Sequence, residues 1–355
     1  MKNLFFYALS AAMTIFLVNL LHGPARRFGL VDIPAGRKNH SGDVPLTGGV
    51  AMFFAFAATV LLQGGLPPAY FAVFPALAVL VATGICDDLF DLSAGSRFVA
   101  QAGAAVVMVC AGGVAITDLG NLFGDGAVRL GDAGSLLFTV FCVVGVVNAV
   151  NMLDGIDGLA GGVVFSVLAL FGGSALLSGH GSQAALLFAL AGAVAGFAAL
   201  NMRSPWRASA AVFMGDSGST MLGFALAWFA IDLTHQPTRA FAPITAVWIL
   251  ALPILDTVSL MLRRMLKGRN PFAPDHDHLH HVFLRAGFSV QQTVALIVLA
   301  SLALGLAALG AWHYGVPDHV MFFAFLLLFV GYFFGMLHAW KVMKILRGIH
   351  DFRYS

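Results

Sequence analysis

Seventeen of the 355 residues are acidic, and every one is aspartate. Eight of these, with two asparagines and four histidines, fall into short clusters of residue types that bind phosphates and divalent ions. In Cys86-Asp87-Asp88-Leu89-Phe90-Asp91, a helix puts Asp87 and Asp91 one turn apart on one face with Asp88 beside them. Carboxylates that close repel, so the arrangement calls for a divalent cation, a cationic partner, or a carboxyl with a raised pKa that serves as a base. The same spacing also occurs on solvated helix ends. In Asn148-Ala149-Val150-Asn151-Met152-Leu153-Asp154-Gly155-Ile156-Asp157-Gly158, a polar residue recurs at every third position. Its amide and carboxylate oxygens suit Mg²⁺, while Gly155 and Gly158 let backbone approach a flat ligand. An Asn-lined packing seam closed by a turn accounts for Asn148 but poorly for Asp154 and Asp157.

Phe213-Met214-Gly215-Asp216-Ser217-Gly218-Ser219 sets small residues around one acid at a helix start, where backbone N–H groups and hydroxyls receive phosphate. Taken alone, Asp216 and Ser217 serve equally well as helix caps. The stretch Arg263 to Gln292 contains Asp275-His276-Asp277-His278-Leu279-His280-His281 flanked by Lys and Arg, which suits an anionic phosphate held by charge or by hydrogen bonds. Zinc fits less well, because thiolates are absent and the neighbouring cations oppose it. A basic loop on anionic headgroups is the plainest alternative. Cys86, Cys110 and Cys142 lie in apolar runs with no paired spacing and read as small core residues.

The elements that carry these clusters are set by composition. With 59% hydrophobic residues, 10% charged and mean hydropathy +0.89, the chain is neither an ordinary soluble domain nor disordered. Eleven apolar segments are long enough to span a bilayer: 4–21, 46–62, 69–86, 98–117, 135–153, 159–178, 183–200, 211–231, 241–260, 292–312 and 320–340. The first has a long apolar core and no small-x-small cleavage site after Leu21, so it is expected to stay. Arg26, Arg27, Arg37 and Lys38 follow it and put that loop in the cytoplasm, the N-terminus outside and the C-terminus cytoplasmic. All of the 19 basic residues except Lys2, Arg129 and Arg239 then fall inside.

On that topology Asp87, Asp88, Asp91, Asp154, Asp157, Asp216 and Asp256 all fall on the cytoplasmic side. A shared inner-face cleft holds them at lower cost than seven separate burials. Asp118, Asp125, Asp132, Asp232 and Asp318 read as solvated outer-loop residues, and Asp118 to Gly134 is either a loop or a small hairpin. The prediction is an all-α polytopic membrane protein of about eleven transmembrane helices, one integral-membrane domain over residues 1–355, with no internal repeat. Nothing in the small net charge of +2 speaks for nucleic acid.

Together the clusters, from Pro45-Leu46-Thr47-Gly48-Gly49 to the histidine loop, occur in an order and spacing that resembles the polyprenyl-phosphate N-acetylhexosamine-1-phosphate transferases. These are WecA-like enzymes related to phospho-MurNAc-pentapeptide translocase, and the likeness covers nearly the whole chain. His278-Leu279-His280-His281 looks like the pattern of the N-acetylglucosamine-type enzymes. The resemblance implies transfer of N-acetylhexosamine 1-phosphate, GlcNAc-1-phosphate first, from a UDP-N-acetylhexosamine to membrane polyprenyl (undecaprenyl) phosphate with release of UMP, initiating cell-surface glycan synthesis. It implies Mg²⁺, or Mn²⁺ in its place, a site on the cytoplasmic face of a bacterial inner membrane, and an assembly that includes homodimers in the family. It casts Asn151 and Asp216 as metal ligands and Asp87 and Asp88 as catalytic groups. Arg97, Asp154, Gly155, Asp157, His278, His280 and His281 become contacts to the nucleotide sugar. Two rival classes are a cation-coupled transporter, whose acids should lie at mid-span within repeated halves, and a CDP-alcohol phosphotransferase, whose aspartates sit in one contiguous segment.

Overall fold

The computed structural model describes residues 2–32, 43–64, 70–235, 239–271 and 278–354. Arg37 and Lys38 of the basic loop, and Asp275, His276 and Asp277 of the histidine loop, lie outside them. The described chain is helical apart from one two-stranded ribbon, in which β1 (Val31–Asp32) pairs antiparallel with β2 (Val44–Pro45). Its helices are α1 (Lys2–Phe28), α2 (Gly48–Leu62), α3 (Val73–Phe90), α4 (Ala94–Cys110), α5 (Asp132–Leu153), α6 (Leu159–Leu177) and α7 (Gly181–Asn201). There follow α8 (Gly215–His235), α9 (Pro243–Ile249), α10 (Ala251–Leu266), α11 (Leu279–Arg285), α12 (Val290–His313), α13 (Asp318–Leu337) and α14 (Ala339–Tyr354). Seven of these are long and apolar enough to cross a membrane, and α2 and α4 are shorter apolar helices. This is an all-α polytopic membrane protein.

The bundle is built around α8, where every residue from Ser217 to Thr234 is buried. A helix apolar all round belongs in an interior, and α8 packs against α2, α3, α5, α6 and α9. Glycine permits the tightest of these approaches, since a Cβ at Gly84 of α3 would collide with the Ser217 backbone. Lipid-facing surface lies on the periphery, where Phe323, Leu327, Val330 and Phe334 of α13 are exposed. At its C-terminal end α8 is tied down by Tyr70, whose hydroxyl donates to Asp232 Oδ2 at 2.7 Å.

Several sequence expectations are corrected. Asp232 is not a solvated loop residue but is buried and hydrogen-bonded. Asp118 takes an ion pair from Arg239 at 2.7 Å, and Asp318 accepts the Asn121 N–H at 3.0 Å, whereas Asp125 and Asp132 are exposed as expected. Cys86 and Cys110 are exposed on α3 and α4 and not in the core; Cys142 is half-buried. Segment 241–260 is two helices, α9 and α10, bent by 78°. Pro253 explains the break, because its ring excludes the carbonyl four residues back, at Ile249, where α9 ends. The Asp118 region closes as a small hairpin, with Asp118 bridged to Arg129 and Leu119 N–H donating to the Val128 carbonyl at 2.9 Å.

Candidate active site

The helix ends that carry the acidic clusters converge. Asp88 lies in the last turn of α3, Asn151 in the last turn of α5 and Asp216 in the first turn of α8. The first orphan N–H groups of α8 are partly satisfied by another helix, since Asp88 Oδ1 accepts the Asp216 backbone N–H at 3.0 Å. A carboxylate there also meets the positive end of the α8 dipole. The sequence-based alternative of a local cap at Ser217 fails, because the Ser217 hydroxyl is buried without a partner among the described residues. Asn151 Nδ2 donates to Asp216 Oδ1 and to Ser219 Oγ at 2.9 Å. One side-chain chain therefore joins three helices.

The segment before α8 is fixed from below. Phe213 N–H donates to the Pro45 carbonyl at 2.9 Å, and the Gly48 and Gly49 N–H groups donate to the Phe213 and Met214 carbonyls at 3.0 Å each. This strap is the structural use of the Pro45 to Gly49 motif. Asn201, unremarked in the sequence, does similar work. Its Oδ1 accepts the Gly158 N–H at 2.7 Å and its Nδ2 donates to the Val212 carbonyl at 2.9 Å, tying the turn after α5 to the segment before α8.

These parts wall a cleft of about 760 Å³ lined by Asp88, Asn151, Asp154, Gly155, Asp157, Asp216 and His281 among others. Arg203 also lines it and holds Asp157 Oδ2 through Nε at 2.7 Å; the sequence presented it only as an inner-face charge. Enclosure by the cleft walls, with the charges of Asp216 and Asp157, pushes the Asp154 carboxyl up to about 7. Its side chain is open to the cleft and makes no hydrogen bond among the described residues.

Other predicted residues sit beside the cleft and not in its lining. Asp87 is buried, accepts the Leu92 N–H on Oδ1 at 2.8 Å, and takes the Arg97 guanidinium on Oδ2 at 3.0 Å. Asp87, Arg97 and Asp216 line a second, small recess with Thr83, Gln101 and Thr220, so Asp216 borders both spaces. Asp91 leaves the helix in a left-handed conformation at φ 51° and is exposed. His278 and His280 are both buried, stacked with ring centroids 5.6 Å apart. His280 packs on Gly155, where a Cβ would come within 2.6 Å of its Nε2. Burial, then the neighbouring His281 and His278 imidazoles, hold the His280 imidazole down to about 3. His280 is thus neutral at physiological pH, which removes charge as its means of binding phosphate and leaves hydrogen bonding.

Among the described residues no three His, Cys, Asp or Glu side chains come close enough to form a metal site by themselves. Mg²⁺ does not need one, since it keeps several waters and takes one or two carboxylates plus substrate phosphates. Asp88 Oδ2, buried and without a hydrogen-bond partner among the described residues, offers a hard oxygen beside Asp216. Five carboxylates (Asp32, Asp88, Asp154, Asp157 and Asp216) against the guanidinium of Arg203 line the cleft, a donor set that fits a hard divalent cation and resists a bare diphosphate.

Residues 70–234 match the family described as Glycosyl transferase family 4. The chain is 38% identical over 326 residues to an undecaprenyl-phosphate alpha-N-acetylglucosaminyl 1-phosphate transferase of Escherichia coli (strain K12), covering 92% of this chain and 88% of that protein. It is 38% identical over 348 residues to the protein of the same name from Salmonella typhimurium, covering 96% and 94%. For that of Haemophilus influenzae the identity is 37% over 351 residues, covering 98% and 97%. The order of the converging motifs and the full-length likeness lead to one conclusion: the chain belongs to glycosyl transferase family 4, with the polyprenyl-phosphate N-acetylglucosamine-1-phosphate transferases.

Proposed function

We propose that this protein transfers N-acetylglucosamine 1-phosphate from UDP-GlcNAc to undecaprenyl phosphate, releasing UMP. The observation that carries the reading, beyond the names of its relatives, is the meeting of Asp88, Asn151 and Asp216 from three helices at the wall of one acid-rich cleft. An acceptor phosphate oxygen attacks the β-phosphorus of the nucleotide sugar, the new P–O bond forms, and the bond to the bridging oxygen breaks to leave UMP. At 4 Å two unit charges repel by about 4 kcal/mol at an effective dielectric of 20. Mg²⁺, or Mn²⁺, held at Asp216, Asn151 and the free Asp88 oxygen would offset that repulsion on the diphosphate.

The chain's own residues supply the rest. Asn151 orients Asp216 by donating to it. Asp157 with Arg203, and Gly155 on His280, shape the nucleotide-sugar side. Asp87 is occupied by Arg97 and a backbone N–H, which favours direct displacement by the acceptor over a covalent aspartyl intermediate, since a phosphate nucleophile needs little beyond positioning. We place the cleft at the cytoplasmic face of a bacterial inner membrane, in an eleven-span topology with the N-terminus outside. The acids sit at one rim and in separate helix ends, which supports neither the transporter nor the CDP-alcohol phosphotransferase reading. The test is UMP release by purified protein given undecaprenyl phosphate, Mg²⁺ and a panel of UDP-N-acetylhexosamines. UDP-GlcNAc should be the best donor, and no UMP release from any of them sinks the reading.

A further inference from the structure

The histidine loop is anchored from inside the membrane bundle by two side chains that no sequence cluster singles out together. Asp256 of α10 is buried and receives three donors: His278 Nδ1 on Oδ2 at 2.8 Å, the Leu279 N–H on Oδ1 at 3.1 Å, and the Tyr332 hydroxyl of α13 on Oδ1 at 2.7 Å. A carboxylate already accepting a backbone N–H and a phenol has only lone pairs to offer His278, so His278 carries its proton on Nδ1 and turns Nε2 away from Asp256. His278 stacks on His280 with the rings 7° from parallel, and His280 in turn lies 4.2 Å from His281, centroid to centroid. His280 rests on Gly155, and His281 lines the cleft. A continuous run of contacts therefore leads from Tyr332 and Asp256 to the donor side of the cleft.

We propose that Asp256 and Tyr332 are positioning residues for donor binding: they fix the tautomer and orientation of His278 and, through the stacked imidazoles, the place of His280 and His281. This rests on the functional reading above. It explains why an aspartate is buried on α10 and why a tyrosine hydroxyl interrupts the apolar run that α13 makes after Asp318 and His319.

The experiment is steady-state UMP release by full-length Tyr332→Phe and Asp256→Asn proteins in lipid, with KM measured separately for UDP-GlcNAc and undecaprenyl phosphate. Tyr332→Phe removes one hydroxyl without changing the packed ring, so it stays folded even if Asp256→Asn does not. Its donor KM should rise about three- to tenfold with the acceptor KM unchanged. Asp256→Asn, where folded, should raise the donor KM further. Unchanged kinetics in Tyr332→Phe, a fall in kcat with both KM values unchanged, or a parallel rise of both KM values overturns the inference. Wild-type protein that releases no UMP overturns the functional reading, and the inference falls with it.

Discussion

Asp216 is the residue on which most depends, because it borders both the large cleft and the small recess and is held by Asn151. Asp216→Asn and Asn151→Ala should each lower kcat by about a hundredfold or more, as removal of a preorganised electrostatic contact does, while membrane insertion and melting temperature stay near wild type. Activity retained at saturating Mg²⁺ would remove both from the metal role. His280 makes a prediction of opposite kind. Its folded pKa of about 3 lies below the unfolded value of about 6.5, so the unfolded chain binds more protons between those values and stability falls as pH drops below about 6.5. The melting temperature should decline from pH 7 to pH 5, and less steeply in His280→Gln; identical slopes in a thermal-shift series would contradict the buried neutral ring. At this scale the acidic and amide residues were legible in the sequence because their types and spacing are unusual for apolar helices. Asn201, Arg203 and Tyr332 were not, since each acts on a partner at least 43 positions away and none stands out locally.

Among the elements, the turn after α5 is the most sensitive to small changes. Gly155→Ala would press a methyl against the His280 ring and should destabilise by about 1–3 kcal/mol as overpacking does, with a loss of donor affinity. Gly173→Ala, in α6 with open space at its Cβ, is the control and should be neutral or slightly stabilising; equal effects of the two in denaturation and turnover assays would refute the close contact. Each apolar run in the sequence carries a helix, because long apolar stretches leave the backbone no other way to satisfy itself in lipid, although the run 98–117 outlasts α4, which ends at Cys110. Hydropathy could not show the 78° bend between α9 and α10, which depends on a single ring at Pro253. It placed the end of the last apolar segment at 340, three residues past Leu337 where α13 ends, and could not show that the basic tail carrying Lys341, Lys344 and Arg347 forms a helix of its own. The αα connections hid the ribbon of β1 and β2, whose strands are two residues each.

For the whole molecule, the basic-residue asymmetry predicts opposite sides for the Asp118 hairpin and the Arg203 loop. In a background without native cysteines, Asp125→Cys should react with an impermeant maleimide on intact spheroplasts, and Ala208→Cys only after permeabilisation; the reverse pattern would invert the topology. The central helix α8 has a consequence for motion. It is pinned near its C-terminal end by Tyr70 on Asp232 and at its N-terminal end by Asp88 on the Asp216 amide, and it is buried along its length. A pillar fastened at both ends makes a fixed wall for the cleft. With α11 anchored on Asp256 as well, adjustment to a ligand is left to the 202–210 stretch beside it.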